Sequence, residues 1–307
     1  MTQQYLRACS LIVGNQTQAF DLSDLHIRFE VKNATVQTLK TLEARVFNVS
    51  DDLAKLIQNE FTSVKLSAGY QGNIAQIFTG EITMVRRGKE SATDTFIDIQ
   101  AQDGDKAFGW ATSSWTIDKG YSADDIYQRC LKDLSAFGVT AGYKPDFTNN
   151  PAPDAKTVHG QTRDVLRTLA DQQNCTWSIE DGKLNFVPIK GYLPGAVPQI
   201  NAASGMIGTP QQTIGGLVVK MLLNPAIKAG SKIQLNDSDI ASLTLTSKYQ
   251  KAEVVPSFDA DGFYRTFQVV HAGDTRGNTW YTDCVCAAVD GTAPLTSNFN
   301  EQVPENG

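Results

Sequence analysis

Apolar and polar residues alternate in short stretches that recur along most of this chain. The clearest are VKLSAGY at 64–70, FIDIQAQ at 96–102 and GLVVKMLLNP at 216–225. Because successive side chains of a strand point to opposite faces of a sheet, a period of two predicts half-buried β-strands. The third stretch is apolar on its second face as well, at Val218 and Leu222, which predicts burial by its own core and by a neighbour.

Three stretches have the apolar spacing of a helix instead. Residues 51–59 carry a leucine and isoleucine stripe, with Ser50 as the expected N-cap. A second helix is predicted to begin at Ser122, where Asp125 stands three residues later as in a capping box. A third is predicted to begin at Thr162, just after a glycine.

The strongest hairpin signal is CTWSIEDGKLNFVP at 175–188. Two alternating runs flank Asp181-Gly182, a dipeptide that fits a two-residue turn because both of its positions need positive φ. The segment at 144–156 holds three prolines and is predicted to be a loop.

These patterns divide the chain into four parts. Residues 1–107 and 191–290 are rich in predicted strands, and residues 108–190 mix two helices with a hairpin. Residues 291–307 are polar and contain proline, so we expect a flexible tail unless a partner orders it. The expected fold class is mainly β with an α+β insertion.

Composition sets aside several function classes. The 307 residues carry a formal charge of -6, and no cluster of cations exceeds the pair Arg86-Arg87, so nucleic-acid binding is not expected. We also expect no membrane anchor, because no stretch approaches the roughly 20 apolar residues of a span, and no secretory signal. Five scattered cysteines, two of them at 284 and 286 on one side of a strand, predict free thiols and synthesis in a reducing cytoplasm.

Residue types that carry chemistry are sparse, and we predict no catalytic, cofactor-binding or metal-binding residues. The three histidines, His26, His159 and His271, lack a second histidine at metal-ligand spacing. His271 is the best candidate base and Glu81 the best lone candidate acid, but a polar strand residue is the commoner reading of each. The aromatic residues suit core or interface packing better than a carbohydrate platform; they are Trp110, Trp115, Trp177, Trp280 and Tyr281.

Four segments together resemble the baseplate hub proteins of phage tails, a class related to the N-terminal part of type VI secretion spike proteins. GNIAQIFTGEI at 72–82 resembles a strand pair of the first barrel, and residues 159–188 resemble the helix-plus-hairpin module. Residues 204–235 are similar to the opening of the second barrel, and residues 271–286 to its closing hairpin. The order and spacing of these segments carry the resemblance.

The resemblance implies two tube-like β-barrel domains flanking the mixed region, and a homotrimer in which six barrels form a ring. Such a hub is a structural protein of the virion tail, assembled in the host cytoplasm, that adapts a sixfold tail tube to a threefold spike and lines the channel for DNA ejection. The implied partners are the tail tube or tube-initiator protein, the central spike, the baseplate wedges and the tape measure protein. It implies no enzyme activity and no cofactor. The net charge of -6 motivates the further hypothesis that the channel wall is negative and repels DNA.

Two other function classes remain open on sequence grounds. A tail-associated peptidoglycan hydrolase needs paired acids or a metal in a cleft, and loss of cell-wall clearing in Glu81→Gln or His271→Ala would favour it. A carbohydrate-binding tail protein would use the tryptophans, and binding on a glycan array would favour it.

Overall fold

The computed structural model describes residues 6–35, 38–213, 216–235 and 262–288. Its strands in the first part of the chain are β1 Arg7–Gly14, β2 Ala19–Asp21, β3 Ile27–Ala34, β4 Thr41–Phe47, β5 Ser63–Tyr70, β6 Asn73–Lys89 and β7 Thr95–Gln102. The middle part contains β8 Thr112–Ile117, β9 Thr140–Ala141, β10 Lys156–Gln161, β11 Cys175–Glu180 and β12 Lys183–Pro188. The last part contains β13 Gln211–Thr213, β14 Gly216–Leu222, β15 Lys232–Gln234, β16 Phe263–Asp274 and β17 Trp280–Ala288.

One open sheet of twelve strands holds both strand-rich parts together. Its order is β13-β14-β17-β16-β3-β4-β7-β6-β5-β1-β2, and β15 pairs with β16 off this path. We call β1–β7 the first module and β13–β17 the second module. The two modules meet where β16 pairs antiparallel with β3.

Among the described residues four α-helices accompany the sheets: α1 Asp51–Asn59, α2 Asp105–Trp110, α3 Ala123–Ser135 and α4 Thr162–Gln172; one 3-10 turn spans Ala202–Ser204. The predicted caps are confirmed, since the Ser50 side chain accepts from the backbone N–H of Leu53, and Ser122 with Asp125 forms a capping box. A hydroxyl at these positions satisfies backbone donors that the first turn of a helix leaves free.

The residues between the two modules have small sheets and a hydrophobic cluster of their own, and we call them the insertion. Helices α3 and α4 pack beside a three-stranded sheet, β11-β12-β9, and a two-stranded sheet, β10-β8. The predicted hairpin is confirmed as β11 and β12, and the turn residues Asp181 and Gly182 have φ of 52° and 70°.

Most of the buried apolar residues in the described part of the chain belong to three hydrophobic clusters. The first lies under the first module and includes Leu66 and Ile99, the second fills the insertion around Phe186, and the third lies under the second module around Val219. Trp280 belongs to the first cluster although its strand is part of the second module. The first module therefore shares its core with a residue from the far end of the chain.

The expected fold class, mainly β with a mixed α/β insertion, is confirmed. The described strands of both strand-rich parts form one open sheet, because the edge of β3 pairs with β16 and the ladder continues across both modules. The closure of each part into a tube-like barrel stays a prediction. Helix α2 was missed because its six residues include Gly109 and are too short to show an apolar period. It crosses the expected division at 107/108. The predicted strand at 243–245 and the expected tail at 291–307 lie outside the described residues.

Candidate assembly surface

The two modules share the same hydrogen-bonded framework, residue by residue. In β6 one extra residue, Thr83, interrupts the pairing with β7, and in β16 one extra residue, Phe267, interrupts the pairing with β17. The residue just before each bulge donates its backbone N–H outward, Ile82 to Thr62 and Thr266 to Ser231, in both cases at 2.9 Å. When Thr83 is matched to Phe267, β15 pairs with β16 where β5 pairs with β6. In the same way, β14 lies beside β17 where β4 lies beside β7.

In the first module, a cation of β4 contacts two residues of β7. The guanidinium of Arg45 donates to both carboxylate oxygens of Asp98 at 2.7 and 3.1 Å. Its central carbon lies 3.9 Å from the centroid of the Phe96 ring. The bidentate pair lowers the pKa of Asp98 against the opposing effect of burial.

In the second module, Lys220 of β14 repeats this arrangement. Its ammonium lies 3.8 Å from a carboxylate oxygen of Asp283 and 4.6 Å from the centroid of the Tyr281 ring, both in β17. Each of the three residues occupies the ladder position of its counterpart in the first module. The repeat thus extends from the backbone register to a cation, an acid and an aromatic ring.

Seven residue pairs join the modules, from Gln268 opposite Ala34 to Asp274 opposite Arg28. We call this ladder the joint. At one end, Asp274 accepts from His26 at 2.8 Å and from Arg28 at 3.0 Å. Near the same end the indole of Trp280 enters the first cluster and packs edge-on against Phe29, with ring centroids 5.5 Å apart. The joint combines a backbone ladder, ion pairs and a buried aromatic, so it is a structural contact and not a flexible linker.

Each module also presents a strand edge that has no partner strand among the described residues. Strand β5 pairs with β6 only as far as Glu81, so the second half of β6 has a partner on one side alone, namely β7. At the other end of the sheet β13 pairs only with β14. We call these the β6 edge and the β13 edge. Open strand edges are surfaces for association with other strands.

The face of the sheet opposite the core is polar and carries both signs of charge. Arg86 donates to Asp98 at 2.7 Å on the first module, and Arg28 bridges to Glu90 at 3.2 Å near the joint. A groove of about 490 Å³ crosses this face from β6 to β16. Positive and negative side chains are paired here, so the net charge of the chain is not concentrated on this face. Strand β14 was expected to be buried on both of its faces. Val218, on its second face, is instead 37% exposed on this polar side of the sheet.

A buried polar cluster connects the insertion to both modules through Asp181, at the tip of the β11–β12 hairpin. Its carboxylate accepts from Lys40 of the first module at 3.4 Å and from Lys228 of the second module at 3.1 Å. Its backbone N–H donates to Asp103 at 2.5 Å. The two ammonium groups lower the pKa of Asp181 against the desolvation that would raise it.

Two other carboxyl groups of this cluster have raised pKa values. Burial raises the pKa of Asp103 to about 6, although the Asp181 backbone and Lys40 partly offset it. Burial also raises the pKa of Glu180, with Lys40 again opposing. Perturbed carboxyl groups mark candidate catalytic sites as well as structural networks. Here the hairpin tip covers them, and each contact is a structural one between parts of the chain.

The candidate base and acid from the sequence are held in structural roles. His271 is buried within β16, its Nδ1 lies 2.9 Å from the hydroxyl oxygen of Thr282, and burial lowers its pKa to about 3. It is therefore a neutral core residue at physiological pH. The Glu81 carboxylate accepts from the backbone N–H of Lys106 at 3.1 Å, in the first turn of α2. The two are not brought together in a cleft.

The remaining candidates are dispersed. Trp177 and Trp280 are buried in different clusters, while Trp110 is 74% exposed, so these three do not form one flat platform. All five cysteines are free, as predicted, and the sulfur atoms of Cys284 and Cys286 lie 3.7 Å apart without a bond.

Within the described ranges, no group of three or more histidine, cysteine, aspartate or glutamate side chains is placed to hold a metal ion. No helix in these parts of the chain is long and apolar enough to cross a bilayer.

Sequence reasoning missed the joint and the repeated cation, although a signal for the repeat exists. The strands FIDIQA at 96–101 and YTDCVC at 281–286 share the pattern aromatic, any residue, aspartate. The strands LEARV at 42–46 and LVVKM at 217–221 both have a basic residue at their fourth position. The joint itself has no such signal, because strand partners 240 residues apart leave no local pattern.

Comparisons with solved structures show which proteins share this fold. The tail protein of Neisseria meningitidis MC58 matches with a TM-score of 0.60 and 10% identity, over 94% of this chain and 100% of its own. The 43 kDa tail protein of prophage MuSo2 from Shewanella oneidensis matches with a TM-score of 0.59 and 8% identity, over 92% and 99%.

A third structure with this fold comes from a secretion system. The E. coli c3393 protein is a component of the type VI secretion system with structural similarity to the T4 bacteriophage tail proteins gp27 and gp5. It matches with a TM-score of 0.54 and 10% identity, over 92% of this chain and 78% of its own. No protein-family model and no curated protein matches the sequence.

Proposed function

From the fold that this chain shares with phage tail proteins, we propose that it is a structural hub subunit of a tail baseplate. Three copies form a ring of six similar modules, which adapts a sixfold tail tube to a threefold central spike. The protein acts in the virion tail, and its partners are the tube or tube-initiator protein, the spike, the wedges and the tape measure protein.

One observation carries this proposal: the two modules repeat the same ladder and are joined edge to edge. The bulges at Thr83 and Phe267 hold the same position, and so do the cations Arg45 and Lys220. A chain with two equivalent modules presents two equivalent surfaces, so three chains present six. The chain can thereby match a sixfold partner while keeping threefold symmetry toward another.

A structural role also agrees with how the chemistry-bearing residues are used. The Glu81 carboxylate is bonded to a helix terminus and the imidazole of His271 is buried and neutral. We propose that the ring wall is the polar face of the sheet, and that residues 1–107, 108–190 and 191–290 act as two tube domains around an insertion. The paired charges of that face support a wall of mixed sign rather than a strongly negative one.

The symmetry of the assembled particle tests the proposal. Light scattering with size-exclusion chromatography and negative-stain microscopy are applied to the purified chain, alone and with its tube and spike proteins. We expect particles with threefold symmetry and six similar lobes. A chain that stays monomeric in the presence of both proteins, and binds neither, contradicts a hub function.

A further inference from the structure

The joint within the chain is a template for a contact between chains. It pairs the second half of β16 with β3. By the repeat described above, the second half of β6 corresponds to that half of β16, and β13 corresponds to β3. The β6 edge and the β13 edge are therefore the same two kinds of edge that already pair inside the molecule.

We propose that the β6 edge of one copy pairs antiparallel with the β13 edge of the next copy, in the register of the internal joint. This inference rests on the proposed ring and names its subunit contact. The joint pairs His271 with Val31, and transfer of this register pairs Arg87 with Gln212 of the next copy. On either side of it, Arg86 lies opposite Thr213 and Gly88 opposite Gln211.

The backbone of the β6 edge has free groups in the positions that this pairing needs. Glu90 donates its backbone N–H to Asp94, across the hairpin toward β7. Because backbone groups alternate in direction along a strand, the N–H and C=O groups of Val85, Arg87 and Lys89 point away from β7. In the joint, the corresponding outward groups of β16 face β3, since Phe267 accepts from Thr35 at 2.8 Å.

The backbone of the β13 edge is complementary. Leu222 donates to Gly205 and Leu223 to Trp280, so the even-numbered residues of β14 face the β13 side. Gln211 and Thr213 pair with even-numbered residues of β14 and thus point inward. The backbone groups of Gln212 point outward, as those of Val31 do in the joint. Pro210, which has no N–H, ends this ladder on one side.

The charges favour a contact between the two different edges over a contact between two copies of one edge. The β6 edge carries Arg86, Arg87 and Lys89, and antiparallel pairing of two such edges would oppose like charges, which is unfavourable. The β13 segment TPQQT at 209–213 has no charged residue. A head-to-tail contact uses both edges once in each copy, and a rotation of one third of a turn from copy to copy closes it into a ring of three.

Cysteine cross-linking of the full chain tests the register. Arg86→Cys and Thr213→Cys form a pair without backbone hydrogen bonds, whose Cα atoms lie about 4.5 Å apart in such ladders, within disulfide range. A mixture of the two single variants should give a disulfide-linked dimer under mild oxidation, and the double variant should give a covalent ladder that ends at the trimer. The wild type and each single variant alone are the controls for the five native cysteines.

A shifted pair controls for chance encounters. Met84→Cys mixed with Thr213→Cys moves one partner by two residues along the same face, to a diagonal of about 7–8 Å. We expect about tenfold less cross-linked dimer from this mixture, because disulfide formation fails beyond ~7 Å between Cα atoms. Equal yields from both mixtures, or no dimer from the 86/213 mixture at any concentration tested, overturn the proposed register.

A proline variant gives an independent readout. Arg87→Pro removes an outward N–H without removing a bond to β7, so it should abolish both trimers and the 86/213 cross-link while the secondary structure is retained. Arg87→Ala, which removes only the ion pair with Asp51, should keep both. Threefold particles that persist in Arg87→Pro, together with no 86/213 cross-link between copies that lack the proline, would leave the hub proposal standing and overturn this contact. A chain that never assembles would overturn both.

Discussion

The indole nitrogen of Trp280 in β17 donates a hydrogen bond of 3.2 Å to the carbonyl oxygen of Gly69 in β5. The two residues lie 211 positions apart, and both groups are buried. Trp280 is 1% exposed, and its ring belongs to the core of the first module while its strand belongs to the second. This one side chain therefore couples the folding of the two modules.

Trp280→Ala should destabilise the chain severely, by about 4 kcal/mol, because it opens a cavity and leaves the Gly69 carbonyl without its donor. Urea unfolding followed by far-UV circular dichroism measures the loss. Trp110→Ala is the matched control, since Trp110 is 74% exposed, and it should change stability by less than about 0.5 kcal/mol. Similar losses in both variants would contradict a coupling role for Trp280.

Asp181→Ala should cost about 3 kcal/mol or more, because it leaves the buried ammonium of Lys40 without its carboxylate partner. The substitution also removes a contact to Lys228, so the insertion and the second module should become less protected from hydrogen exchange. Hydrogen exchange of the hairpin at 175–188 measures the local effect. Asp154→Ala, at an exposed site in the proline-containing loop, is the control and should behave like the wild type. Unchanged exchange in Asp181→Ala would argue against the bridging role.

Asp103→Asn should change how stability depends on pH. The pKa of Asp103 is about 6 in the folded chain and about 3.9 when unfolded, so the folded state binds its proton more tightly. Ionisation of Asp103 therefore lowers the free energy of unfolding of the wild type as pH rises from about 4 to 6. At pH 7 the loss amounts to about 2–3 kcal/mol. The stability of the Asp103→Asn variant relative to wild type should rise by that amount between pH 4 and pH 7. Asp118→Asn, at an exposed site, should show no such change.

His271→Gln should also change how stability depends on pH. The buried histidine of the wild type makes the chain less stable at acid pH, whereas Asp103 makes it less stable at neutral pH. The pKa of His271 is about 3 in the folded chain against about 6.5 when unfolded, so the unfolded state takes up the proton first. Stability is therefore lost as pH falls from about 6.5 toward 3, by up to about 1.4 kcal/mol per pH unit. Chemical unfolding across this range should show a shallower acid limb in His271→Gln. His159→Gln, at an exposed position, should keep the wild-type slope.

Local features of this fold were predictable from sequence, because they depend on nearby residues. The bounds of α1, the capping box at Ser122 and the turn at Asp181 each follow from a few adjacent side chains. The strands at 64–70 and 96–102 follow from their alternation.

Features that join distant segments were not predictable from the same patterns. The alternation of β16 shows that it has a buried face but not which strand it pairs with, so β3 could not be identified as its partner. The two barrels were expected from the family resemblance alone, because alternation within a group of strands does not show which strand edges pair. Asp181 was likewise read as a turn residue, and its bridge to Lys40 and Lys228 depends on the packing of three separate parts of the chain.

The shared ladder between β16 and β3 has a geometric consequence. Two domains connected by a flexible linker can change the angle between them, so the same pair could fit rings of different diameters. Two modules that share seven consecutive residue pairs cannot tilt without breaking backbone hydrogen bonds, and thus form an arc of one curvature. The angle between neighbouring modules within one chain is then set during the folding of each subunit, before the subunits meet.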